Sequence, residues 1–316
     1  MNALLHPEAT EDSLRKAIDK SWKYYQNQYQ NYPLDPSINY PNEAWARSQG
    51  SGTLTIELPP GETLITNPVY LPANISLRGS GVWAGSTLRM KGNGQLVLLG
   101  DMETDLGLVK PFGGGIEGVR FVGNDRSLIS LWGSFQDLRL RSLHFISKGT
   151  KEPDIHHFRF PSPSAPSKFG TVNTAGPHLK ELKIEDCQFE SGNTSMLLIA
   201  PMRSTVVNCQ FLYGELGVAA HEAAEFYVAN NQFNGGLKCP AIIEGSSQKG
   251  YITFTNNAMD GCTLGAQLYV LKASSLRDIS PANFWNGGEK NKSVEYFERG
   301  TKVVKGAGVF KTGQDL

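Results

Sequence analysis

The strongest constraint on how this chain folds is a recurrence. "IEDCQFESG", "VVNCQFLYG" and "VANNQFNGG" begin at Ile184, Val206 and Val228, 22 residues apart. Six segments align on one anchor position, held by Phe121, Phe145, Phe189, Phe211, Phe233 and Met259, at intervals of 24, 44, 22, 22 and 26 residues. The interval of 44 is two periods, or one period with an insertion over 151–178. Five residues before the anchor stand Ile116, Leu140, Ile184, Val206, Val228 and Phe254. Seven before it stand Gly114, Leu138, Leu182, Ser204, Phe226 and Ile252. Two before it stand Val119, Leu143, Cys187, Cys209, Asn231 and Asn257.

The step of two residues marks a strand with one inward face. The step of three that follows marks a corner, because one extra residue re-aims the side chains. The corner carries Gly118, Ser142, Asp186, Asn208, Asn230 and Asn256, small or turn-tolerant residues that can bond their own backbone. After each anchor comes a loop and another apolar strand: "LISLW", "MLLIA", "LGVAA", "AIIEG" and "QLYVL". Repeats of this length indicate stacked supersecondary units. Two or three short strands per coil predict a parallel β-solenoid, in which like residues stack about 4.8 Å apart. Period-2 strands with frequent Asn and Gly argue against helical repeats.

Outside the repeat the pattern changes. "PEATEDSLRKAIDKSWKYYQNQYQ" reads as a helix, with Leu14, Ile18, Trp22 and Tyr25 on one face and Glu11 and Asp12 in the first turn. With the proline-rich connector "NYPLDPSINYP" it makes residues 1–50 a cap or contact segment. Residues 51–280 form the solenoid, and 281–316, including "GGEKNKSVEYFERGTKVVKGAGVF", a terminal cap or subunit-contact tail.

"TIELPPGETLITNPVYLPANISLRGSG" (55–81) and the recurring "NCQF", "NNQF" and "NNAM" corners resemble the pectate-lyase-like superfamily of right-handed parallel β-helices. The resemblance spans about residues 50–275. It implies an all-β, right-handed parallel β-helix with an N-terminal helical cap. It also implies work on polysaccharides, because that superfamily includes polysaccharide lyases, glycoside hydrolases, epimerases and the tailspikes of bacterial viruses.

Composition narrows the partners. Lys plus Arg and Asp plus Glu number 30 each, so nothing selects a nucleic acid or an acidic membrane. No run of 18 apolar residues predicts a membrane span. The first residues, "MNALLHPEATEDSLRK", turn polar too early for a secretion signal, which predicts a cytoplasmic or virion-associated chain. Cys187, Cys209, Cys239 and Cys262 form no CxxC, so no zinc or redox motif is present. Cys187 and Cys209 share an inward position on consecutive coils. A disulfide is conceivable by distance, but parallel side chains favour free thiols. "GSGVWA" (79–84) matches GxGxxA, yet "GSTLRM" after it reads as a strand where a dinucleotide site needs a helix.

The outward residues of the aligned strand carry the functional reading. Eight before the anchor stand Asp137, Glu181, Arg203 and Glu225; six before it Arg139, Lys183 and Tyr227; four before it Arg141 and Glu185. Stacking would gather them on one face, either as a groove for an extended glycan or as a solvated face of weak cross-strand ion pairs. Hydrolysis needs two carboxyls about 5–10 Å apart. Glu181, Glu185 and Glu225 could supply them, since 181 and 225 lie two coils, about 10 Å, apart. β-Elimination needs a cation and a base, roles open to Lys183, Arg203 and Tyr227. No catalytic signature of either class is present.

Two histidine clusters add candidates. The insertion holds His156, His157, Arg159 and His178, and loops on rigid scaffolds often carry function. Adjacent His156 and His157 on a strand would face opposite ways. "AAHEAAE" (219–225) sets His221 and Glu222 at a corner beside Glu225, and the two candidate ligands His221 and Glu225 fall short of a metal site. No cofactor is predicted, although the chemistry leaves room for a divalent cation such as calcium. Two functions follow: a lyase or hydrolase acting on an extended glycan, or a non-catalytic glycan-binding or structural component of a virus tail or surface assembly. The second implies a homotrimer.

Overall fold

A computed structural model describes residues 4–5, 7–30, 54–71, 75–83, 85–92, 94–100, 114–132, 135–148, 151–158, 179–245, 252–264, 266–270, 284–286 and 294–298. Among the described residues the wall consists of three nine-stranded sheets and one of three strands, and every pairing is parallel. The chain winds through the sheets in turn, so successive strands of one sheet belong to successive coils. The first sheet holds short strands such as Arg139–Arg141, Lys183–Glu185 and Thr205–Val207. The anchor sheet holds Val119–Gly123, His144–Ser147, Gln188–Glu190 and Gln210–Leu212. The third holds longer strands, including Thr194–Ile199 and Leu216–Ala223. This is the expected parallel β-solenoid.

Every aligned inward position lies in the core except Gly114, which is half-buried. The six anchors are fully buried, and five are phenylalanines in one column. Ring centroids from Phe121 to Phe233 are 5.4, 4.6, 4.9 and 4.7 Å apart, with interplanar angles of 15°, 4°, 2° and 9°. In-register parallel pairing imposes this: Phe189 pairs with Phe145 on one side and Phe211 on the other. The column thus adds ring–ring attraction, about 0.5–1.5 kcal/mol per pair, to apolar burial.

The position two before the anchor forms an inner ladder. Cys187 and Cys209 are free, buried thiols near backbone carbonyls. Burial pushes the Cys209 thiol well up, so it resists ionisation. Beyond them the ladder becomes amide. Asn231 Oδ1 accepts from the Cys209 amide at 2.9 Å, and Asn257 Oδ1 accepts from both the Asn231 amide and its Nδ2 at 3.0 Å. Asn231 Nδ2 and Asn257 Nδ2 donate to the carbonyls of Val206 and Val228 at 3.0 and 3.1 Å. Buried polar side chains survive here because they are bonded along the axis.

The corner three before the anchor is left-handed in all six aligned segments: φ is 68° at Gly118, 51° at Ser142, 55° at Asp186, 56° at Asn208, 57° at Asn230 and 53° at Asn256. Small polar residues tolerate this region best. A second left-handed corner lies five residues earlier, at Asp137 (57°), Glu181 (59°), Arg203 (50°) and Glu225 (53°). The sequence reading put these four on the strand itself. They precede it, because the first-sheet strand is only three or four residues long.

Phe145 pairs directly with Phe189, so the interval of 44 is one coil with an insertion. That insertion begins later than residue 151. Ile155–Phe158 is the coil's own third-sheet strand, paired to Ile129–Trp132 and to Met196 and Leu197. Arg159 and His178 lie outside the described residues, as do 31–53 and most of the tail.

At the N-terminal end Leu4–Leu5 adds a parallel strand to Leu54–Glu57. The helix Glu11–Gln30 follows, and Leu14 and Ile18 join the core. Glu11 ties it down. Its carboxylate accepts from the Thr66 amide and hydroxyl at 2.8 and 2.6 Å and from Arg15 at 2.6 Å. Burial opposes the charge, but these bonds outweigh it and hold the carboxyl at about 2.

Candidate functional site

The outer face of the first sheet is a ladder of alternating charge. Along one row, Arg78 lies 3.7 Å from both Glu57 and Glu117, and Arg141 lies 3.8 Å from Glu117 and 3.4 Å from Asp186. Parallel register causes this, since Arg78, Glu117, Arg141 and Glu185 are successive rungs. On the neighbouring row and corner, Lys183 reaches Asp137 at 3.4 Å. Arg203 sits between Glu181 at 3.9 Å and Glu225 at 3.0 Å.

Most of the expected residues therefore share one side of the solenoid: Asp137, Arg139, Arg141, Glu181, Lys183, Glu185, Arg203, Glu225 and Tyr227. The charge is not uniform. Beyond Glu185 the strand rungs become Thr205, Val207, Tyr227, Ala229, Thr253 and Thr255, with Ala229 buried. Tyr227 presents its ring at 38% exposure.

One rung of this surface, Gly115 between Ser76 and Arg139, carries no side chain. Gly114 and Gly115 floor a depression of about 230 Å³ walled by Arg78, Glu117, Asp137, Arg139 and Arg141. Gly115 has to be glycine, because a Cβ there would meet the Arg139 carbonyl oxygen at 2.1 Å. The glycine thus lets the Arg139 backbone close over it at the floor of the hollow. Arg78 and Arg141 at its rim are ion-paired. Arg139 is exposed and has no ion pair or side-chain hydrogen bond among the described residues. Sequence reasoning missed Arg78, Glu117 and the two glycines as lining, although "GGGIEG" marks a place where side chains vanish.

The histidine candidates disperse. His157 is fully buried, with Nδ1 2.9 Å from the Ile199 carbonyl oxygen, and serves the wall. His156 faces the other way, as expected, and is half-buried; burial pushes its ring toward the neutral form. His221 does not join Glu225. Its Nδ1 lies 3.2 Å from Glu244 on the next coil, while Glu225 turns to Arg203. The strand Leu216–Ala223, whose register to the next coil shifts between Ala220 and Ala223, sends His221 outward over the third sheet, away from the corner. Among the described residues, no group of three His, Cys, Asp or Glu is arranged to hold a metal ion. The "GSGVWA" segment leads into the strand Ser86–Met90, so it forms no dinucleotide turn.

No family model matches this chain, and no curated protein is similar to it. Among solved structures, the crystal structure of PfbA, a surface adhesin of Streptococcus pneumoniae, is similar at 10% identity and a TM-score of 0.29. The likeness covers 99% of this chain and 100% of that one. A likeness at that score says nothing of what this chain binds. What stands of the pectate-lyase-like resemblance is the parallel β-solenoid itself.

Proposed function

We propose that the chain holds an extended acidic glycan along the outer face of the first sheet, without cutting it. The observation that carries this reading is Arg139, unpaired among the described residues, beside the glycine-floored hollow. Such a guanidinium, next to space for a sugar, suits a carboxylate- or sulfate-bearing unit, which it can bond bidentately. Tyr227 lies three rungs away, about 14 Å along the axis. Its exposed ring offers a flat surface for another sugar of the same polymer. Cutting fits less well. A hydrolase needs one carboxyl as acid and another as base or nucleophile. Here Glu181 and Glu225 are both engaged by Arg203.

The test is affinity electrophoresis through gels containing polygalacturonate, alginate or hyaluronan. Retardation by at least one is expected, with no unsaturated product and no new reducing ends on incubation. Arg139→Ala should weaken binding about tenfold, the loss of one charge-assisted contact. Migration unchanged in every gel would sink the proposal, and product release would replace holding by cutting.

A further inference from the structure

The anchor sheet has an outer face of its own, and it carries a different chemistry. The residue just before each anchor forms an outward row in which Arg120, His144, Gln188, Gln210 and Gln232 are successive rungs. An outward residue should be wet. His144 is not: its side chain is 2% exposed. Trp83, from the loop between Ile75–Arg78 and Ser86–Met90, lies against it with ring centroids 5.4 Å apart and planes at 46°. Trp83 itself is 76% exposed, the largest exposure among the big apolar side chains described.

The hydrogen bonding under Trp83 is incomplete. His144 Nε2 lies 3.0 Å from Glu190 Oε1, which also accepts from Gln188 Nε2 at 3.2 Å. The carboxylate fixes the tautomer, with the proton on Nε2. Burial, assisted by Arg120, pushes the ring toward the neutral form against the pull of Glu190. His144 Nδ1 is then an acceptor. It is buried and has no hydrogen-bond partner among the described residues. The same holds for Arg120 Nε, a donor, on the adjacent rung. A buried donor and a buried acceptor on adjacent rungs each cost roughly 1–3 kcal/mol while unmet.

A hydroxyl is the group that meets both, because it accepts with a lone pair and donates its proton. An anion would leave Nδ1 without a donor and would face Glu190. We propose that Trp83, Arg120 and His144 form a binding site for a neutral saccharide, separate from the first-sheet face. One sugar hydroxyl bridges Arg120 Nε and His144 Nδ1, and Trp83 moves aside to pack its indole on the sugar ring. The outward glutamines extend the site along the axis, with amides able to donate to and accept from further hydroxyls.

The test uses the full chain, with maltohexaose, cellohexaose and mannohexaose as probes at millimolar concentration, followed by tryptophan fluorescence and titration calorimetry. At least one should bind. Trp83→Ala, harmless to a fold in which the ring is exposed, should weaken it about tenfold, the worth of one ring contact. His144→Phe, which keeps the ring bulk and removes both nitrogens, should do the same, with Arg120→Met as a further variant should His144→Phe fail to fold. Arg139→Ala should leave neutral-sugar binding intact, and Trp83→Ala should leave acidic-polymer retardation intact, so each site can fail alone. If no probe binds, or binding survives Trp83→Ala and His144→Phe, the proposal is wrong and the buried pair holds only a trapped water.

Discussion

The inner and outer surfaces of the solenoid wall share one spacing and one register, yet they are held together differently. Inside, Phe145, Phe189, Phe211 and Phe233 stack in a dry column, and Asn231 and Asn257 bond along the axis. Outside, Arg78, Glu117, Arg141, Arg203 and Glu225 repeat the ladder with charges at 3.0–3.8 Å, half in water. Burial separates the two. A contact that excludes water has no solvent competing for it, whereas an exposed ion pair only trades hydrating water for a charged partner in a high-dielectric setting. The inner wall therefore specifies the fold, and the outer wall is free to vary toward a ligand.

Substitutions can break that contrast, and the largest effect belongs to the column. Phe211→Ala, with stacked neighbours on both sides, should cost about 3–5 kcal/mol in denaturant unfolding. An effect under about 1 kcal/mol would mean that the column is not what holds the coils. Next comes Asp154, buried at 1% exposure with Oδ2 unpartnered among the described residues. Burial, only partly offset by bonds from Ser147 and Ser191, pushes its carboxyl from 3.8 up to about 7. Between those values the folded chain holds a proton that the unfolded chain has lost, so this group's stability contribution falls as pH rises and stays low above 7. Asp154→Asn should thus be more stable than wild type by a few kcal/mol at pH 8 and nearly equal to it at pH 4. A gap that does not widen with pH would refute the assignment.

Glu11 runs the opposite way. Its carboxyl is held at about 2, so the stability it lends is present above its ordinary value of 4.5 and is lost as pH falls toward 2. Thermal unfolding of Glu11→Gln should converge with wild type in acid and fall below it at neutral pH. The smallest effect is expected outside. Arg203→Ala, despite two carboxylate neighbours, should change stability by less than about 1 kcal/mol, and by still less in high salt. A larger loss would show that the outer ladder is structural after all.

The inner wall was legible because its signal is local and repeated. Each anchor follows an apolar alternation and a turn-tolerant residue at fixed offsets, so Phe189, Phe211 and Phe233 align without knowledge of the coil path. The second corner was not legible. Asp137, Glu181, Arg203 and Glu225 adopt left-handed backbone although Glu and Arg are not turn residues, because the short first-sheet strand forces the bend where they fall. The depression at Gly115 was only half visible, since "GGGIEG" announces missing side chains but not the arginines around them. The Trp83–His144 contact left no trace in the repeat. It depends on a loop that reaches across coils, and nothing in either segment names the other.

The two left-handed corners have a consequence for how such a chain can change length. Because they recur at the same two places, one winding is a self-contained unit that can be copied. Duplicating residues 182–203 would set a second copy of Phe189 between Phe189 and Phe211, and no neighbour would change the face it presents. Each such copy would lengthen the molecule by about 4.8 Å. It would also add one fresh rung to each sheet. Reach along the axis is thereby quantised, and an inherited duplication alters how much polymer the wall can span while leaving the way it folds untouched.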